Sequence, residues 1–354
     1  MGRSVKMPGW ILTFLGILCG LGAQPSAAQV RLGPVWTAMQ PASDVMRYGY
    51  PALAGQPALL LQARYDVRNQ PLQPLIKTEK WLARPVPGRL VRITTHGTAF
   101  RPRDCDTVEK HAHSLIRACT HALPGWDPTD RFHIPIKHYD NFRLFSQHTG
   151  ITNRAVCGFT RINNRVIDNP PVHVWNIHDP GDYLPLLRHE MFHAISWHCY
   201  GPMPFSIAEG MAEWFGRQGQ NNPILQGRRE VILRRLHARH VAGQNFLPNY
   251  LRCNSPADWH QAFGDIRVGY VIGEQFVDYM LNTTPARRRI LYQAMTDAHS
   301  AKGPVGPGGE AVLSNWFANR QTAFTRALHR KVPGGIPALE RDFQAWLHRR
   351  VLGP

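Results

Sequence analysis

The chain has 354 residues, 43% of them hydrophobic and 18% charged, with a formal net charge of +17 at pH 7. That length suits one or two domains with a large buried core. The positive charge favours anionic partners such as acidic cell-envelope polymers. However, the cations are scattered, as in Arg228-Arg229, Arg234-Arg235 and Arg287 to Arg289, and read equally well as solvated helix faces; without a nucleic-acid-binding motif, no nucleic-acid partner is expected.

Residues 1–28 read as a signal peptide. Arg3 and Lys6 precede an apolar run from Trp10 to Ala23, too short to span a bilayer comfortably, and Ser26-Ala27-Ala28 offers a small-residue cleavage site. An uncleaved anchor is the alternative. Cys19 does not read as a lipoprotein site, because Gly16-Ile17-Leu18 lacks the usual small residues. The expectation is export to the periplasm or beyond, with no transmembrane helix in the mature chain. Residues 29–87, rich in proline, glutamine and alanine, read as an N-terminal extension of unknown role.

A strand over Arg89–Thr95, an amphipathic helix over 107–123 and an alternating strand over Arg131–Tyr139 come next. Val156–Ile162 and Arg165–Ile167 flank Asn163-Asn164, a tight-turn pair, and predict a hairpin. Val172–Ile177 reads as one more strand.

Residues 189–193 then read His-Glu-Met-Phe-His. Histidines four apart share one helix face and grip one metal ion. Leu184, Leu187, Met191 and Ile195 recur at helical spacing, with Asp182 as the expected N-cap, Pro185 in the first turn and Gly201-Pro202 as the stop. Two histidines and a glutamate are costly to bury on so apolar a helix without a partner. A metal is the simplest one, although a chain with 18 histidines raises the odds of a chance match. Glu190 lies where it could hold a metal-bound water.

Pro204 opens a second helix in which Glu209 and Glu213 share a face and Gly210 permits close packing. Glu209 supplies the third ligand, and three protein ligands with an open position mark a catalytic zinc site. Glu213 competes for that role. Glu209 is preferred because the short connection from Cys199 to Pro204 should bring the beginning of the helix over the metal. Glu213 then accepts a hydrogen bond from a ligand histidine. Further helices are expected around Val231 to Leu236, over Tyr270–Leu281, around Ile290–Met295 and over Leu339–Leu352, with a Pro/Gly loop at Gly303–Gly309.

The run over 183–216 resembles the gluzincin zinc metallopeptidases, most of all their bacterial peptidase-MA-like branch. There a His-Glu-x-x-His helix is followed by a proline and a Glu-Gly-x-Ala-Glu helix. The resemblance extends loosely over 88–350. It departs at Ser206, where the family often has tryptophan. It implies a zincin-like α+β fold: a small mixed or antiparallel sheet over the zinc helix, in a lobe at 88–220, then a helical lobe at 221–354. The strand preceding the zinc helix would lie at the sheet edge beside the metal. It implies His189, His193 and Glu209 as zinc ligands and Glu190 as general base. The expected function is an exported zinc metallopeptidase acting on peptides or proteins. The alternatives are a non-catalytic zinc-binding envelope module and a zinc amidase acting on cell-envelope peptides.

Tyr270 is a candidate donor to the oxyanion, against the plainer reading of a core tyrosine. Cys105, Cys119, Cys157, Cys199 and Cys253 are odd in number for an oxidising compartment. Cys105–Cys119 and Cys199–Cys253 are the expected pairs.

Overall fold

The computed structural model describes residues 79–81, 90–123, 126, 132–152, 158–160, 170–175, 180–217, 230–231, 233–238, 245–301 and 313–352. The expected signal peptide, most of the expected N-terminal extension, Cys157, the second arm of the expected hairpin and the expected 303–309 loop lie outside them.

The architecture is α+β. Strands β1 (Glu79–Trp81), β2 (Val91–His96), β3 (Ile134–Tyr139), β4 (Gly158–Thr160) and β5 (Val172–Trp175) form one five-stranded sheet in the order β1-β2-β3-β5-β4. β1 therefore draws part of the expected extension into the sheet. β2, β3 and β5 are parallel, and the outer strands β1 and β4 are antiparallel to their neighbours. The sheet is thus mixed, with a parallel centre where a wholly antiparallel sheet was also considered. Helix α1 (Pro102–Ala122) carries the chain from β2 to β3, and α2 (Phe142–Thr149) with β4 carries it on to β5. Crossovers of that length permit parallel pairing, as a short hairpin would not. β5 lies inside the sheet, and β4 takes the edge where β5 was expected.

Local caps explain several boundaries. α1 starts earlier than its apolar period suggests because Pro102 suits a first turn, and the Asp104 carboxylate accepts from the Arg101 amide at 2.7 Å. α2, which the sequence reading missed, is capped by Asn141 and ended by Gly150 at φ 76°. It buries Phe145 near Tyr139 and Trp175.

The other face of the sheet covers α3 (Pro180–Cys199). A proline at the first helical position starts α3 at Pro180. Asp182 is consequently inside the helix rather than its N-cap, and Pro185 lies beyond the first turn. From Tyr183 to Trp197 nearly every side chain is buried, against the sheet, α1 and α4 (Phe205–Arg217). Arg188 ties α3 to the end of α4. Its buried guanidinium donates to the carbonyls of Phe215 (3.1 Å) and Gly216 (3.2 Å), which have no partner within the helix.

Residues 230–231 and 233–238 are helical, as expected around Val231 to Leu236, and further helices among the described residues are α5 (Leu247–Tyr250), α6 (Pro256–Phe263), α7 (Ile266–Asn282), α8 (Pro285–Ser300), α9 (Leu313–Lys331) and α10 (Gly335–Leu352). Ser255, Asp265 and Thr284 cap α6, α7 and α8. The Asp265 cap places Tyr270 a full turn inside α7 rather than at its start. Ser206 is fully buried between the hydroxyl of Tyr250 and Gln321 of α9. No helix among the described residues is long and apolar enough to cross a membrane.

No disulfide joins Cys105 to Cys119 or Cys199 to Cys253. The first pair lies on one helix, where fourteen residues span about 21 Å, far beyond the Cα separation of a disulfide. The Cys253 thiol instead donates to the Asn249 carbonyl at 3.2 Å, and burial pushes its pKa up to about 12. Cys199 faces α1, where its charge adds to burial in raising the Cys119 thiol.

α4 meets α7 at glycine on glycine. A Cβ on Gly210 would lie 2.7 Å from the Gly273 carbonyl oxygen, inside any real contact and against backbone. Gly210→Ala should therefore destabilise the fold by about 1–3 kcal/mol through overpacking, read as a lower urea midpoint. An unchanged midpoint would show that α4 and α7 separate without cost.

Candidate metal centre

α3 places His189 and His193 one turn apart, and α4 crosses it with Glu209. All three are buried, at 3%, 1% and 0% exposure. The two Nε2 atoms are 3.1 Å apart. Glu209 Oε2 is 3.3 Å from Nε2 of His189, and Oε1 is 3.7 Å from Nε2 of His193. A tetrahedral zinc with bonds near 2.0–2.1 Å separates its ligand atoms by about 3.3 Å. Both Glu209 oxygens are buried, and among the described residues neither has a partner in hydrogen-bonding geometry. Such carboxylate oxygens are expensive to leave in a protein interior. The group fits, and could hold, a metal ion.

The electrostatics agree. Burial works against a charged His189, but the Glu209 and Glu213 carboxylates outweigh it and raise its pKa to about 10. Burial keeps His193 below its ordinary value despite Glu209. Burial also opposes ionisation of Glu209, yet His193 and His189 hold its carboxyl below the usual range.

Glu213 faces the opposite side of the first imidazole. Its Oε1 is 3.1 Å from His189 Nδ1, which accounts for the division of labour between the two glutamates. One turn further on, Arg217 holds Glu213 Oε2 through Nε at 2.9 Å and Nη2 at 2.8 Å. Burial opposes the Glu213 charge, but Arg217 and then His189 pull its pKa down to about 2.

No protein-family model matches the chain, and no curated protein matches it. The donor atoms themselves carry the assignment of the site.

Glu190 is fully buried on the sheet side of α3. The Thr160 hydroxyl of β4 lies 2.9 Å from Glu190 Oε2 and 2.8 Å from the Glu190 carbonyl. A Cβ on Gly158 would lie 3.4 Å from Glu190 Cγ, so β4 passes directly along this side chain. Thr160 was not singled out from sequence, because nothing local to 158–160 signals a partner on α3. Tyr270 is 3% exposed, with its ring centroid 6.2 Å from that of His189. Burial, then the charges of Glu209, Glu213 and Glu190, push its phenol well above the ordinary value, so it stays protonated. The structure thus gathers all six candidate residues, His189, Glu190, His193, Glu209, Glu213 and Tyr270, around the α3–α4 crossing.

Three outcomes follow for metal binding. His193→Ala should lose stoichiometric zinc in elemental analysis. Glu209→Ala should bind zinc more weakly than Glu213→Ala in chelator competition, since a direct donor matters more than its neighbour; the reverse order would exchange their roles. Below a pKa of about 10, His189 carries a proton that metal must displace, so affinity should rise with pH. At pH 8, calorimetry in two buffers of different ionisation enthalpy should show release of about one proton per zinc. Uptake with no proton release contradicts this electrostatic picture.

Proposed function

We propose that the chain is an exported zinc metallopeptidase with a zincin-like, gluzincin-type core. The observation that carries this reading is the position of Glu190. It is a buried carboxylate outside the donor cluster, next in sequence to His189, and pinned by Thr160 on an outer strand of the sheet. A site that only bound metal would have no use for a carboxylate there. The two imidazoles and one carboxylate suit zinc. Zinc held there would polarise a substrate carbonyl and bring the pKa of a water to near 7.

The protein's own groups account for the rest. Glu190 takes the proton of the attacking water and passes it to the leaving amine. Tyr270, kept protonated by its burial and acidic neighbours, donates to the developing oxyanion. Glu213, with Oε1 3.1 Å from Nδ1, favours the His189 tautomer that carries its proton there and leaves Nε2 for the metal. An extended peptide adding to the outer edge of β4 would run past Glu190. On this reading the substrate would lie along β4, the outer strand among the described residues. Peptides or proteins are the substrate class, and the net positive charge suits an anionic envelope surface nearby.

The test is hydrolysis of a broad quenched-fluorescent peptide library by the zinc-loaded protein, with envelope peptides as a parallel arm for amidase activity. Glu190→Gln should retain zinc and lose at least about a hundredfold in turnover. Tyr270→Phe should lower turnover without shifting the melting temperature. Zinc-loaded protein that cleaves nothing, or a Glu190→Gln variant as active as wild type, would refute the peptidase reading.

A further inference from the structure

The two oxygens of Glu213 have separate tasks. Oε1 faces His189 Nδ1 at 3.1 Å, while Oε2 takes both Nε and Nη2 of Arg217, at 2.9 and 2.8 Å. We propose that Arg217 is a positioning residue for the metal centre, holding Glu213 in the one orientation that keeps His189 Nε2 turned toward Glu209 and His193. The inference rests on the reading of these residues as a zinc site, but not on peptidase activity.

The geometry restricts the alternatives. A carboxylate held only through His189 could rotate about its last torsion, which is broad for glutamate. A planar guanidinium placing two donors on one oxygen removes that freedom; a lysine ammonium, a single point charge on a flexible stem, does so less well. With Oε1 fixed 3.1 Å from Nδ1, the carboxylate favours the proton on that nitrogen, and the lone pair on Nε2 is left for the metal. The side chains are largely withdrawn from water, at 16% exposure for Arg217, 6% for Glu213 and 3% for His189, so salt and solvent screen the chain of contacts little.

The backbone beneath Arg217 is fixed as well. Arg188 holds the carbonyls of Phe215 and Gly216, the two residues just before it. Gly216 lies against the metal helix itself: a Cβ there would come within 3.0 Å of the Pro185 carbonyl oxygen and 3.1 Å of the His189 amide nitrogen. The last turn of α4 is thereby seated on α3 beside His189. Arg188 secures its main chain and Arg217 its carboxylate. Arg217 acts on the metal centre through Glu213, so its effect should vanish when Glu213 can no longer respond.

The experiment measures zinc dissociation constants by chelator competition, at one pH and salt concentration. The proteins are wild type, Arg217→Met, Arg217→Lys, Glu213→Gln and the double variant Arg217→Met/Glu213→Gln, each with its melting temperature. Arg217→Met should weaken zinc by about tenfold, the low end for groups one contact removed from a ligand. Arg217→Lys, which keeps the charge and loses the fork, should fall between it and wild type, and serves alone if the methionine variant does not fold. In the Glu213→Gln background the arginine substitution should add little further loss. Wild-type affinity in both Arg217 variants overturns the proposal, as does a loss that persists undiminished in the Glu213→Gln background. A change in melting temperature alone, with zinc affinity unmoved, also overturns it. If wild type takes up no zinc, the reading of the site falls and this inference with it; wild type that binds zinc but is insensitive to Arg217 refutes only the positioning role.

Discussion

His189, His193 and Glu209 meet where α3 crosses α4, with 3% exposure or less. Their donor atoms lie within 4.8 Å of one another. Ionisable groups withdrawn from water must be compensated, or they shift their protonation. The raised His189 and the depressed Glu209 show what protein alone achieves at this crossing. The spacing of the atoms is close to the edges of a metal tetrahedron, so a metal ion could supply that compensation. Most other features near it serve to keep α3 and α4 at this distance and angle.

Two contacts set the crossing from outside. The glycine pair Gly210 and Gly273 lets α7 approach α4 almost backbone to backbone, bringing Tyr270 and Glu209 to the same place. Arg188 satisfies the last carbonyls of α4 from α3, so the two helices are joined at the end where Glu213 and Arg217 lie. The sheet contributes on the opposite side. β4 runs along Glu190 and supplies Thr160, whose single hydroxyl proton serves either the Glu190 carboxylate or its carbonyl at any moment. Glu190 is therefore held by a group that can accept a hydrogen bond as well as donate one.

What the sequence disclosed follows from the range of the interactions. His189, Glu190 and His193 were legible because one helical turn brings them together, and Glu209 because the next helix follows after only a short connection. Glu213 was legible for the same reason. Thr160 and Arg217 were not, since their roles depend on where β4 passes α3 and on which oxygen of Glu213 faces which neighbour. The parallel centre of the sheet was missed because strand alternation reports faces and not direction. The edge position went to β4 rather than β5 because order within a sheet is a long-range property. The boundary at Pro180 displaced Asp182 as a cap because a proline at the first position signals a start as strongly as an aspartate does. The Cys105–Cys119 pairing failed on reach within α1, which is not visible in a count of cysteines; Cys199 and Cys253 are not bridged in this structure.

The central claim is that one metal ion is shared by α3 and α4. Anomalous diffraction on either side of the zinc absorption edge, from crystals of the zinc-loaded protein, tests it most directly. The account predicts a single strong peak within about 2.0–2.2 Å of Nε2 of His189, Nε2 of His193 and a carboxylate oxygen of Glu209, with Glu213 remaining on Nδ1 of His189. A stoichiometric zinc peak elsewhere, or one bound by Glu213 in place of Glu209, would contradict it.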